Sequence, residues 1–272
     1  MSLRIQNNIE AFNAHRQLTN TSDLQAKAME KLSSGFRINR AADDAAGLAI
    51  SEKLRAQVSG LDQAQRNAQD AISLVQTAEG AMAEVHSMLQ RVRDLAVQYN
   101  NGTLSSSDKV AITDEVGQLC AEINRIGADT KFNGIALLTG SSSITFQIGS
   151  EDGQTLTVNG MQLFGTGGSQ KVDSAIFNFG GSVSLTQIDL AIENISTARS
   201  TYGAVQNRLE HTINNLGTLQ ENTQAAESRI RDVDMAKEMV NFTKLQILQQ
   251  AGTAMLAQAN QSSQSVLSLL KG

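Results

Sequence analysis

The residues able to do chemistry are few and scattered. The three histidines, His15, His86 and His211, are far apart in the chain. None sits in a His-Glu-x-x-His pattern, which would set two imidazoles one helical turn apart to hold zinc. A single cysteine, Cys120, excludes an internal disulfide and any paired-thiol motif. It follows Leu119 on an apolar flank and reads as a small buried hydrophobe rather than a reactive thiol. Glu227, Arg229, Arg231, Asp232 and Asp234 form a charge-rich patch. Carboxylates so placed could hold a cation or move protons, but a solvated face with ion pairs is the simpler reading. Arg37, Arg40, Asp43 and Asp44 suit the same use, pairing across an interface. Gly165, Gly167 and Gly168 lack the strand-to-helix setting that phosphate binding needs. No Walker loop and no Gly-x-Ser-x-Gly is present. The residues therefore assign no catalytic, metal or cofactor site. They point away from an enzyme.

The elements that carry these residues are organised around one run, Leu61 to Tyr99. Leu61, Ala64, Ala68, Ala71, Val75, Ala78, Met82, Val85, Leu89, Val92, Ala96 and Tyr99 recur at alternating spacings of three and four. Polar residues fill most positions between. This is the seam of a coiled coil, which keeps one narrow stripe facing a partner. Many seam residues are alanine, so the partner can come close. A helix over this run spans roughly 57 Å at ~1.5 Å per residue. The chain has no proline, which suits long uninterrupted helices.

The rest of the chain follows in order. Residues 1–34 predict a helix with a thin apolar stripe: Ile5, Ile9, Phe12, Leu18, Leu24, Ala28 and Leu32. Gly35 can stop it in the left-handed conformation. Asp43 or Asp44 can cap the next helix, which either continues into the Leu61 seam or pauses near Ser59-Gly60. Asn100-Asn101-Gly102 ends the long helix. Ser105 to Asp108 can cap a third, with a seam of Ile112, Val116, Leu119, Ile123 and Ile126. Gly127 and Asn133-Gly134 close it. Across 137–183 glycine, serine and threonine rise, and Ile144, Phe146 and Ile148 alternate with polar residues. Glu151-Asp152-Gly153 is a hairpin turn signal. Ser184 to Gln187 reads as a capping box opening the last helical run. The fold class is mainly α: a long antiparallel coiled-coil or helical-bundle rod with a small β-hairpin region near the middle. Both chain ends are amphipathic and rich in Asn and Gln, so a hairpin-like path would bring them to one pole.

Composition sets bounds. Apolar content of 40% supports a core, while 4% aromatics and no Trp favour thin, alanine-rich packing. A net charge of −5 argues against nucleic acid as the main partner. Met1 to Phe12 has no continuous apolar core of a secretory signal. No stretch approaches the ~18 apolar residues of a membrane span, so no membrane insertion is expected. These facts alone suggest a cytosolic helical protein.

Several strings resemble bacterial flagellin. The first half has Glu30-Lys31-Leu32-Ser33-Ser34-Gly35-Phe36-Arg37-Ile38-Asn39, then Ala42-Asp43-Asp44-Ala45-Ala46-Gly47-Leu48-Ala49-Ile50-Ser51, then Gln90-Arg91-Val92-Arg93-Asp94-Leu95-Ala96-Val97-Gln98. The second half has Gly203 to Leu209, Ala226 to Ala236, and Gln250-Ala251-Gly252-Thr253-Ala254-Met255-Leu256-Ala257-Gln258-Ala259-Asn260. The resemblance covers roughly 1–140 and 185–272. It implies a secreted structural subunit of the flagellar filament, serving motility and exported without a cleaved signal. That overturns the cytosolic expectation.

The resemblance also implies a division of the chain. Residues 1–40 would be an N-terminal filament-core helix pairing with 235–272. Residues 41–140 and 184–234 would form the two parts of a rod domain, and 141–183 a short variable insert. Filament-core assembly would fall to Ile5, Ile9, Phe12, Met239, Phe242, Leu248, Met255, Leu256, Leu267 and Leu270. Arg91, Leu95 and Glu115 match positions that contact Toll-like receptor 5 in recognised members, and the flank carrying Arg91 and Leu95 is expected to face a neighbouring subunit. Implied partners are further copies of the chain, the export apparatus and its chaperone, the filament cap and the hook-associated proteins. The terminal helices carry so little dense apolar surface that they are expected to order only when neighbours supply the other side of their stripes. Departures from the family pattern include Cys120 and Ser263. The alternative within the same machine is a hook–filament junction protein. From another class, a coiled-coil scaffold would need no matched ends.

Overall fold

The computed structural model describes residues 8–139, 143–159 and 184–271, with side chains described as far as Gln261. Five helices run in order: α1 (Ile9–Ser34), α2 (Ala45–Tyr99), α3 (Ser106–Asp129), α4 (Leu185–Arg231) and α5 (Met235–Lys271). Between α3 and α4 lie two antiparallel pairs, β1 (Lys131–Phe132) with β2 (Ile135–Ala136) and β3 (Ser143–Gln147) with β4 (Thr155–Asn159). The expected class, long helices with a small β region, is what the chain adopts. The chain divides into two compact units, one of residues 1–56 with 222–272 and one of residues 57–221. The expected divisions at 40/41 and 234/235 fall inside the first unit, in the links that follow α1 and precede α5.

In the first unit α1 and α5 pack along each other. The Asn8 side-chain amide donates to the Ala259 carbonyl at 2.9 Å, and Phe36 pairs antiparallel with Asp232. The two helices therefore run in opposite directions. Their covered positions keep a three-four rhythm: Ala11, Ala14, Leu18, Thr21, Gln25, Ala28 and Leu32 on α1, and Phe242, Leu245, Gln249, Gly252, Leu256 and Ala259 on α5. Most of these are small or polar, so burial per turn is modest. At Gly252 a β-carbon would lie 3.2 Å from Leu18 Cδ1, so the missing side chain sets how closely the helices approach.

The end of α1 is stopped as expected. Gly35 takes φ 75°, and its N–H donates to the Lys31 carbonyl at 2.9 Å. Beyond it Asp43 and Asp44 divide the capping work. The Asp43 carboxylate accepts the Asn39 and Arg40 N–H groups, which holds its carboxyl below the usual carboxylate range. Asp44 accepts the Gly47 N–H at 2.9 Å at the start of α2. Residues 35–37 lie beside 230–233. Arg37 N–H donates to the Arg231 carbonyl at 2.6 Å, and Val233 N–H to the Gly35 carbonyl at 2.9 Å.

In the second unit the Leu61 seam is the core. Ala64, Ala68, Ala71, Val75, Ala78, Met82, Val85, Leu89, Val92 and Ala96 are all buried. One cluster joins Met82, Val85 and Leu89 with Ile123, Ile195, Ala198 and Tyr202, so α2, α3 and α4 share an interior. A second joins Val92, Leu95 and Ala96 with Ile112, Val116 and Ile188. The alternative of a pause near Ser59-Gly60 is not taken, since α2 is continuous. Gly60 instead makes room for the β3–β4 turn, because a β-carbon there would lie 3.0 Å from Ser150 Cβ. The β3–β4 hairpin buries Leu156 and Val158 on the helices, and Asn67 donates to the Gln147 carbonyl at 2.9 Å.

One element departs from expectation. Asn133-Gly134 does more than end α3, since it forms the two-residue turn between β1 and β2, with both residues at positive φ. Asn-Gly is favoured there because that turn needs two left-handed residues. Leu137 and Leu138 beyond it are buried in the main core.

Helix α3 opens with a complete capping box, in which Ser105 and Asp108 exchange side-chain and backbone hydrogen bonds. Hydrogen bonds from the Ser105 hydroxyl and N–H hold the Asp108 carboxyl below its ordinary value of 3.8. The ionised form is thus favoured by folding. Its contribution is fully present above 3.8 and is lost as pH falls through the lower folded value. Asp108→Ala is expected to reduce the urea midpoint at neutral pH, with the gap to the parent narrowing below that range. A gap independent of pH would refute this role.

Candidate interaction surface

Arg91 and Glu115 come together. The Arg91 guanidinium donates through Nε at 2.9 Å and Nη2 at 2.7 Å, both to one Glu115 oxygen. The pair links α2 to α3 on the outside of the second unit, and both side chains are about half exposed. Two residues on, Arg93 Nε donates to Asp189 at 2.6 Å and links α2 to α4. That carboxylate holds the Arg93 guanidinium still more firmly protonated. Exposed pairs of this kind contribute about 0–1 kcal/mol, because water already solvates both ions. Their value is in fixing which charges stand at the surface.

Leu95 is a correction. It was expected on a free flank beside Arg91, yet it is only 2% exposed and packs among Val92, Ala96, Ile112, Val116 and Ile188. The reason is geometric. Arg91 and Leu95 stand one turn apart on the side of α2 that α3 covers. The long Arg91 side chain reaches past the edge of α3, while the short Leu95 is sealed beneath it.

In the first unit the terminal residues separate into two sets. Phe242 and Leu256 lie in the α1–α5 seam. Ile9, Phe12, Met239, Leu248 and Met255 lie outside it and face solvent, Phe12 being 70% exposed. Sequence reasoning did not single out their companions Met29, Val240 and Ile247, which are also exposed. The side chains of Ile5, Leu267 and Leu270 lie outside the described residues, as do Gly165, Gly167 and Gly168.

Most residues of the charged clusters are engaged within the chain. Arg37 donates from Nε and Nη2 to the Ile230 carbonyl. Arg40 pairs with Glu30 at 3.0 Å. Arg231 is 13% exposed, pairs with Glu52 at 2.5 Å and stacks over the Phe36 ring at 4.8 Å. Asp232 accepts the Ser228 hydroxyl, and Asp234 accepts the Lys237 N–H at the start of α5. Burial pushes the Cys120 thiol up to about 12, so it stays a protonated, weak nucleophile. Among the described residues no three His, Cys, Asp or Glu side chains converge on a metal position. No helix among them is long and apolar enough to cross a membrane.

Comparison with known proteins decides the family. Residues 5–143 match the model of the bacterial flagellin N-terminal helical region, and residues 185–270 match that of the C-terminal helical region. The chain belongs to the bacterial flagellin family. Flagellin of Halalkalibacterium halodurans is 52% identical over 270 residues, covering 98% of this chain and 99% of that one. A flagellar filament 33 kDa core protein of Treponema phagedenis is 49% identical over 284 residues, covering 98% and 99%. A solved structure described as a flagellar hook-associated protein of Vibrio parahaemolyticus aligns with TM-score 0.60 and 17% identity, covering 70% of this chain and all of that one. At that identity the likeness concerns the fold alone. As a flagellin the chain is a structural subunit of the flagellar filament, outside the cell.

The geometry separates the buried Leu95 of this flagellin from the exposed Arg91 by energetic cost. Leu95→Ala is expected to destabilise the second unit by about 2–5 kcal/mol, the range for a buried leucine. Arg91→Ala is expected to cost no more than ~1 kcal/mol. Urea unfolding of both variants checks the contrast, and equal losses would show that the two positions are equivalently packed.

Proposed function

We propose that this flagellin assembles through its terminal helices, with residues 1–40 and 235–272 forming the inner part of the filament. The observation that carries this reading is the row of exposed apolar side chains on α1 and α5 outside their mutual seam: Ile9, Phe12, Met239, Leu248 and Met255. Water-facing apolar surface of that extent gains stability when a second surface covers it, and neighbouring copies carry the same rows. The seam residues Phe242 and Leu256 hold the pair that presents them. Residues 41–140 and 184–234 then serve as the outer rod, with 141–183 as its variable insert. We propose as its other partners the export apparatus and its chaperone, the filament cap and the hook-associated proteins, a reading supported by the resemblance to the family.

We further propose that the exposed Arg91–Glu115 pair is the part of the surface read by Toll-like receptor 5. Leu95 contributes by supporting the helix face beneath Arg91. A guanidinium held in place by a neighbouring carboxylate is a pre-oriented donor set for a protein partner.

Two experiments test these readings. Seeded with filament fragments, the Phe12→Ser, Met239→Ser double variant is expected to stop elongating while urea unfolding of its second unit stays that of the parent. Elongation at the parental rate would sink the assembly reading. In a receptor reporter assay Arg91→Ala is expected to lose roughly tenfold in potency, about 1.4 kcal/mol of binding. Unchanged signalling would remove Arg91 from the recognised surface.

A further inference from the structure

The chain contains the Asn-Gly steps Asn101-Gly102, Asn133-Gly134 and Asn159-Gly160. Such steps are chemically labile because glycine places no side chain between its own nitrogen and the asparagine carboxamide. Whether the reaction proceeds depends on backbone freedom, and the first two sites differ in this. Gly160 lies outside the described residues.

Asn101 and Gly102 lie in the short link between α2 and α3, outside any helix or strand, and both are exposed. The Asn101 N–H donates to the Gln98 carbonyl at 3.0 Å and anchors the residue to the end of α2. Its side-chain Oδ1 accepts the Thr103 N–H at 3.3 Å. That bond turns the carboxamide toward the Gly102–Thr103 peptide and draws electron density from Cγ. The Gly102 N–H makes no hydrogen bond among the described residues, so nothing holds that nitrogen away. Asn133 is placed differently. It stands at φ 48° with Gly134 at φ 80°, clamped by the Lys131–Ala136 and Phe132–Ile135 pairs. Cyclisation must rotate the Asn133–Gly134 peptide out of the left-handed region, which opens the turn. Phe132 packs on the main core and Leu137 is buried in it, so that opening is opposed from both sides.

We infer that Asn101 is a site of spontaneous modification in the folded protein, converting to aspartate and isoaspartate, while Asn133 is protected by its hairpin. The Gly102 nitrogen, deprotonated by hydroxide, attacks Asn101 Cγ and forms a new C–N bond. The Cγ–Nδ2 bond breaks, and Nδ2 leaves as ammonia after taking a proton from water. Water then opens the resulting succinimide at one of its two carbonyls. Attack at one restores the main chain with an aspartate side chain. Attack at the other diverts the main chain through the β-carbon, adding a methylene to the α2–α3 link. Either product adds one negative charge to a chain of net charge −5. The new carboxylate stands at the end of α2, where the final carbonyls already carry partial negative charge. The chain would thus acquire a charge and a loosened link at one fixed place as it ages.

The full-length folded chain, kept dilute in mildly alkaline buffer, is sampled over time, digested and weighed peptide by peptide. A parallel sample is held in urea. In urea both steps are expected to convert at comparable rates. In the folded chain Asn101 is expected to convert at least about tenfold faster than Asn133, a barrier difference of ~1.4 kcal/mol. Gly102→Ala is expected to slow conversion at position 101 and leave position 133 unchanged, since the added methyl crowds the attacking nitrogen. Folded-state conversion of Asn133 as fast as Asn101 would overturn the inference. So would an Asn101 that converts in urea and not in the folded chain.

Discussion

The second unit depends on the spacing of small side chains along one face of α2. Ala64, Ala68, Ala71, Ala78 and Ala96 let the partner backbones approach, and Val75, Met82, Val85 and Leu89 fill the gaps between them. A helix face of large residues alone would hold its neighbours further apart and leave voids, each of which costs dispersion contacts. With few aromatics available, the chain relies on closeness rather than bulk. The same logic recurs in the first unit at Gly252 against Leu18. There the seam also carries Thr21, Gln25 and Gln249, so less apolar area is buried per turn.

This division of labour explains how the surface is built. Residues that hold the second unit are short and sealed, as Leu95 is. Residues that present chemistry are long and reach the rim, as Arg91 and Arg93 do. The rim pairs contribute little stability because both ions remain hydrated. They fix the positions of charges on a frame whose rigidity comes from the apolar seam. In the first unit the arrangement is reversed. Arg231 is drawn inward to pair with Glu52 and stack on Phe36, and Arg37 folds back along the surface onto the Ile230 carbonyl, while apolar residues such as Phe12 are left outside.

Much of the fold was legible in the sequence because its periodicity is strong. The row from Leu61 to Tyr99, the stop at Gly35, the cap at Ser105 and the Gly153 turn each have a local cause. What was hidden has non-local causes. Periodicity tells which residues share a face but not how much of that face is covered, so Leu95 was placed on the open side. A single apolar stripe on residues 1–34 hid two faces, the seam through Leu18 and Ala28 and the open one with Ile9 and Phe12. The β1–β2 pair has two residues per strand, too few for alternation to show. Gly60 looked like a break, yet it makes room for Ser150. The Arg37 bonds to Ile230 span 193 residues of sequence and leave no local trace.

That last separation has a kinetic meaning. The clip between residues 35–37 and 230–233 closes a loop containing most of the chain, and the Asn8–Ala259 bond spans 251 residues. The entropy of closing such a loop grows only with the logarithm of its length, but the closing partner must first exist. During synthesis the second unit can form from contiguous chain, while α1 has no partner until α5 has been made. The first unit is therefore the last to close, however fast its helices form locally. Its folding time is set by the arrival of the other end of the molecule, and anything that holds either end holds the whole unit open.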